Sequence, residues 1–203
     1  MVPVARAEQL AQSIGLVADA VGGTPVDQYE NPTPDSEWRV KDLVNHIAMM
    51  LVLTRDVGTR TDWDSALLAA NPVPLFAGRP ETEWARLVNS QAEPAVRAWS
   101  EPAAWQGEAS LGGPPMPAEA LGGILITEFA IHAWDVAVAT GQRLDVPEPL
   151  AKTMLGTYSR EAPRMRSVGL LADEVPADAH APLFERTLAL SGRNPRWSPL
   201  RAE

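Results

Sequence analysis

Three histidines, at positions 46, 132 and 180, and the absence of cysteine define the metal and nucleophile chemistry open to this 203-residue chain. Lack of cysteine excludes disulfides, thiolate metal sites and a sulfur nucleophile of the chain's own. A metal ion would have to be held by histidine, aspartate, glutamate or backbone oxygen. Glu128 and His132 stand four residues apart within LGGILITEFAIHAWDVAVATG, Leu121 to Gly141. At about 100° per residue, His132 lies about 40° from Glu128 around a helix and Asp135 about 20° to the other side. All three share one narrow stripe. The i,i+4 spacing lets the first two converge on a single ion. The plain alternative is a solvated Glu/His pair that contributes a few tenths of a kcal/mol. Ile124, Leu125, Ile131 and Val136 flank the stripe. Such a stripe must face a cavity, a partner or an ion, because burying unpaired carboxylate and imidazole groups costs several kcal/mol.

His46 sits in DLVNHIAMMLVL, ahead of an apolar run from Ile47 to Leu53. Taken alone it reads as a hydrogen-bonded core histidine. Taken with His132, it completes a pattern in which two of the three histidines lie mid-helix in the two most apolar helices. A His/Glu/His set with an open position is the ligand set of catalytic zinc in some hydrolases, and also of non-haem iron. Asp135 and Asp42 are candidates to orient a ligand imidazole; the alternative for each is an exposed or capping carboxylate. His180, in PADAHAPLF, reads as a surface residue of a Pro/Ala-rich loop. No glycine-rich phosphate loop, HExxH or GxSxG is present. Glycine pairs beginning at 22, 112 and 122 read as turn or packing glycines. Tryptophans at 38, 63, 84, 99, 105, 134 and 197 read as core and hinge packing rather than a ligand cage.

The elements that must carry these residues are helical. Leu10, Ile14, Val17 and Val21 keep a three-to-four spacing that predicts a helix over Val4 to Val21. Pro25, Pro32 and Pro34 end it. Val40 to Thr59, free of glycine and proline until Gly58, predicts a second helix. Residues 61 to 80 read as a connection with one helical turn around Asp64 to Ala70. A third helix is expected from Glu81 to Ser100, with Pro94 as a kink or break. An extended piece is expected near Trp105 to Leu111, then a fourth helix over Ala118 to Thr140 capped by Gly141. A fifth is expected over Glu148 to Glu161, with a loop-like chain after Pro163 and a short helix near Pro182 to Leu190. The fold class is therefore all-α, an antiparallel bundle, with residues 1 to 203 as one domain and about 164 to 203 as a C-terminal extension.

Composition narrows the partners. Seventeen Lys+Arg against 26 Asp+Glu give a formal charge of -9, which argues against nucleic acid, since no basic excess exists to neutralise phosphates. Glu128, His132 and Asp135 interrupt the one apolar stretch long enough to span a bilayer, so no membrane span is expected. Glu8 and Asp19 interrupt the apolar N-terminal stretch that a signal peptide would need, so a cytoplasmic location is expected.

TPDSEWRVKDLVNHI resembles the segment of DinB/YfiT-like metalloproteins in which a Trp precedes the second bundle helix and a metal-ligand His follows eight residues later. ITEFAIHAWDVAVATG resembles the later helix of that family, with Glu and His four apart ahead of a Trp-Asp pair and a Gly. The match is to the actinobacterial branch related to the N-terminal domain of mycothiol-dependent maleylpyruvate isomerase, and FERTLALSGRNPRW resembles the tail of short stand-alone members. The resemblance implies a DinB-like four-helix bundle with a divalent metal held by His46, Glu128 and His132: zinc, with nickel or iron as alternatives. It implies that the ion binds and activates a low-molecular-weight thiol, mycothiol, for transfer to, or isomerisation of, an electrophilic substrate. Two departures stand out. Arg39 replaces the capping Ser or Thr, so Ser36 or Asp35 is expected to cap the second helix. The tail is too short for the separate C-terminal domain of the maleylpyruvate isomerases, so the resemblance does not carry that substrate over. A metal-dependent hydrolase and a non-enzymatic metal- or ligand-binding bundle are the competing functions, and a homodimer is an assembly this reading allows.

Overall fold

The computed structural model describes residues 4–62 and 74–199. Six α-helices appear among them: α1 (Val4–Gly22), α2 (Val40–Thr59), α3 (Trp84–Ser100), α4 (Ala118–Ala139), α5 (Glu148–Ser167) and α6 (Leu183–Leu190). The expected turn around Asp64 to Ala70 lies outside the described residues. Strands are limited to the two-residue pair β1 (Glu108–Ala109) and β2 (Met116–Pro117), antiparallel with Glu108 opposite Pro117. This pair realises the extended piece expected near Trp105 to Leu111.

Helices α1 to α4 form the bundle of the all-α, DinB-like fold. In it α1 packs on both α3 and α4, and α2 closes the ring between them. Helix α5 lies on the outside of α4, and α6 lies on α5. The apolar composition of α4 follows from this position: it meets neighbours on nearly all sides, and Leu125, Ile126, Phe129, Ala133 and Val136 are 1% exposed or less. It is long and apolar enough to cross a membrane, yet 83% of its most apolar window is buried inside the protein. Those are the marks of a core helix.

Two helix ends depart from expectation. Helix α5 continues to Ser167, past the boundary expected at Glu161 and through Pro163. Proline leaves the carbonyl four residues earlier without its donor. That carbonyl belongs to Ser159, an exposed residue that water can serve. The same relation holds for Pro94, which lies inside an unbroken α3, with Ser90 exposed four residues before it. At the start of α2, neither Ser36 nor Asp35 caps. The Asp42 carboxylate reaches back and accepts the Arg39 N–H at 3.0 Å, while that of Asp35 accepts the Glu37 N–H within the preceding turn.

The loop ahead of α2 is itself fastened. The Asn31 side-chain amide donates to the Ala139 carbonyl at the end of α4 (3.0 Å), and the Thr33 hydroxyl lies 2.9 Å from the Trp38 carbonyl. These contacts fix Trp38 beside α2, where its ring meets that of His46.

Candidate metal centre

Helix α2 brings His46 and helix α4 brings Glu128 and His132 to one place, although His46 and Glu128 are 82 residues apart in the chain. One ligand atom from each of the three lies within 4.8 Å of the others. Glu128 Oε1 is the centre of the group, 3.1 Å from His46 Nε2 and 2.9 Å from His132 Nε2. The imidazole rings meet edge to face at 4.9 Å between centroids, and the Trp38 ring lies 4.8 Å from that of His46. Both histidine side chains are 8% exposed and that of Glu128 21%, so the group opens to solvent through the carboxylate.

Such donors suit an ion. Nitrogen and oxygen ligands about 2.1 Å from a metal stand about 3.0 Å apart at adjacent corners of an octahedron and about 3.4 Å apart in a tetrahedron. The two separations from Glu128 Oε1 lie close to the octahedral value, and all three donor atoms lie within 4.8 Å of one another, the neighbourhood one ion would need.

Charge is distributed to match. Burial raises the Glu128 carboxyl, but the two imidazoles beside it outweigh burial and hold it well below the usual carboxylate range. Burial works against a charged His132, and Glu128 and Asp135 reverse that, pushing the imidazole up to about 9. Without metal, His132 therefore carries a proton on each nitrogen near neutral pH. Nδ1–H donates to Asp135 Oδ2 at 3.0 Å and Nε2–H donates to Glu128. A metal ion at the centre would replace the Nε2 proton, and its uptake would release protons.

Of the two aspartates considered as imidazole-orienting groups, Asp135 has that place and Asp42 does not. Asp42 is committed to the start of α2. Asp135 is completely buried, and its Oδ2 also accepts from Arg193 Nη2 at 3.2 Å. Burial raises the Asp135 carboxyl, and the Arg193 guanidinium together with His132 brings it below its ordinary value. His180 is exposed, and its backbone N–H donates to Asp178.

Sequence reasoning missed three residues here. In sequence, Arg193 stands only within FERTLALSGRNPRW, the segment that resembles the tail of short stand-alone members. A signal for it existed: an aspartate in the most apolar helix needs a cation, and SGRNP offers one. Trp38, taken as packing, packs on a candidate ligand. Tyr158 on α5 is 1% exposed, and burial followed by the charge of Glu128 raises its hydroxyl well above the ordinary value; nothing in its sequence context marks it.

Comparison with known proteins agrees with this architecture. The family model described as the mycothiol maleylpyruvate isomerase N-terminal domain matches residues 10–137, a span that contains His46, Glu128, His132 and Asp135. Two Mycobacterium tuberculosis relatives, uncharacterized proteins MT0763 and Rv0738, are each 30% identical over 194 residues, 94% of this chain and 97% of theirs. Among solved structures, mycothiol-dependent maleylpyruvate isomerase and a histidine-to-alanine mutant of it superpose with TM-scores of 0.57 and 0.59. At 16% identity, covering 85% of this chain and 74% of theirs, they share its fold.

Proposed function

This chain belongs to the mycothiol maleylpyruvate isomerase N-terminal domain family, and from that membership we propose that it is a metal-dependent thiol S-transferase or isomerase acting with mycothiol. The observation that carries the proposal is the convergence of His46 Nε2, Glu128 Oε1 and His132 Nε2 within 4.8 Å. Those atoms would hold a divalent ion, zinc first, by two neutral nitrogens and one carboxylate oxygen. When bound, the ion supplies Lewis acidity that lowers the pKa of a coordinating thiol.

The chain's own residues do the rest. Asp135 keeps the Nδ1 side of His132 occupied, so Nε2 faces the centre. Trp38 screens one side of His46. Glu128 brings a negative charge that a divalent cation neutralises. With no cysteine in the chain, the reacting sulfur must come from a second molecule. Its S–H bond breaks and a C–S bond forms, while the electrophilic carbon gives up either a π bond, whose electron pair takes a proton, or a leaving group that departs with its electron pair. The mycothiol dependence in the names of the solved relatives supports a small thiol as that molecule.

The test is spectroscopic. Cobalt-substituted protein titrated with mycothiol is expected to gain a sulfur-to-metal charge-transfer band in the near ultraviolet, because no protein thiolate can produce one. Mycothiol consumption with electrophilic substrates, followed with and without metal, tests turnover. An unchanged spectrum at saturating thiol, with cobalt still bound, removes the thiol reading and brings the hydrolytic and non-enzymatic readings forward.

A further inference from the structure

Residues 168–199 follow α5, and half of them are exposed, with Val168 at 62% and Leu170 at 66%. Besides the small hydroxyl residues Thr187 and Ser191, which bond back to their own helix, one charged side chain of this segment is turned inward. Arg193, with a side chain only 15% exposed, lies 58 residues from Asp135 in the chain and donates to it. The placement is built from several contacts. The Arg166 guanidinium of α5 donates to the Leu190 carbonyl at the end of α6 and to the Ala172 carbonyl. The Val175 N–H donates to the Ala189 carbonyl at 3.0 Å. Gly192 then turns the chain with φ at +86°, in a space where an added Cβ would stand 2.7 Å from Ala172 Cβ and 3.1 Å from the Asp173 carbonyl oxygen. After that turn the guanidinium points at α4.

What it meets there is the buried Asp135 carboxylate, whose only permanently charged partner among the described residues is Arg193. Asp135 Oδ2 is shared by Arg193 and His132, while Asp135 Oδ1 and Arg193 Nε are buried without partners. A buried carboxylate with one partner removed is strongly destabilised, because its charge is left uncompensated. We propose that Arg193 is a positioning residue for the metal centre: it fixes the Asp135 carboxylate against His132 Nδ1, so that His132 presents Nε2 to the ion. The C-terminal segment thereby becomes a working part of a site whose proposed ligands all lie on α2 and α4. Arg193 lies outside the span matched by the family model, which ends at residue 137. The inference rests on the metal reading above, with its orientation component separable from it.

Zinc affinity, by competition against a chromophoric chelator, and the ¹⁵N shift of His132 Nδ1 in apo and zinc-loaded protein test it on the full chain. Arg193→Met keeps the length and removes the charge. It is expected to weaken zinc binding about 10–100-fold, the usual cost of losing an outer-sphere partner, and to move the Nδ1 signal. Arg193→Lys, restoring the cation, should recover most of both. Leu188→Ala, which loosens α6 packing without touching the ion pair, should lower thermal stability and leave affinity within about twofold of wild type. The proposal is overturned if Arg193→Met binds zinc as wild type does, or if Leu188→Ala loses as much affinity while Arg193→Lys rescues nothing. If wild-type protein takes up no zinc, the metal reading fails, and an apo Nδ1 signal unchanged by Arg193→Met overturns the positioning role as well.

Discussion

Both halves of α4 are predominantly apolar in composition, and they are used differently. From Ala118 to Thr127 the helix is packing surface. Gly122 gives Trp99 and Trp105 close approach, and those rings meet edge to face at 4.9 Å. From Glu128 to Ala139 the same helix carries a stripe of three ionisable side chains through an otherwise apolar environment, each matched by a partner from α2, α4 or the C-terminal segment. Apolar content therefore says where a helix lies and nothing about its chemistry. The chemistry is set by whether polar groups at helical spacing find partners from other elements, because in a low-dielectric interior only partnered groups are tolerated.

The sharpest way to break this contrast is to remove a candidate ligand. His46→Ala and His132→Ala are each expected to abolish stoichiometric uptake of one divalent ion per chain, read by elemental analysis, with helical circular dichroism retained. Full metal content in both variants would refute the ligand assignment.

A smaller effect is expected from pH on the metal-free protein. The His132 imidazole goes from 6.5 to about 9 on folding. A group raised in this way contributes stability fully below pH 6.5 and loses it as pH climbs through 9. The magnitude is about 3 kcal/mol. Glu128 and Asp135 are lowered by folding and act oppositely: their contribution is present above their ordinary values of 4.5 and 3.8 and is lost as pH falls. Urea midpoints of apo protein should therefore peak between pH 5 and 6.5 and fall on both sides, while bound metal flattens the alkaline side. A midpoint that rises from pH 6.5 to 9 would contradict the charge assignment.

The packing half has its own test in Gly122→Ala. Helix propensity favours alanine by about 1 kcal/mol, and overpacking costs about 1–3 kcal/mol. The added Cβ would stand 2.3 Å from the buried Trp105 ring and 2.9 Å from that of Trp99, so the clash is expected to win. A lower unfolding midpoint with unchanged metal content would separate the two halves of the helix; loss of metal would show that they are coupled.

The smallest effect is expected at His180. Its exposed imidazole lies apart from the three candidate ligands, so His180→Ala should leave metal content and any mycothiol-linked activity unchanged within error. Metal loss in this variant would show that the C-terminal segment supplies a ligand as well as Arg193.

The helices of the bundle were legible in the sequence, as were the i,i+4 relation of Glu128 to His132 and the inward setting of His46. Each depends on periodicity along a single element, which the backbone geometry imposes locally. The choice of Asp135 over Asp42 as the imidazole-orienting carboxylate was not legible, because each stands within about one turn of a candidate ligand histidine. Helix capping claimed one and burial the other. The continuation of α5 through Pro163 escaped for a related reason: the cost of a proline depends on whether water reaches the freed carbonyl. Trp38 beside His46 and Arg193 beneath Asp135 are the clearest products of tertiary structure. Both arrive on irregular segments, where no period relates sequence position to direction, and only the docking of those segments on the bundle decided what their side chains would touch.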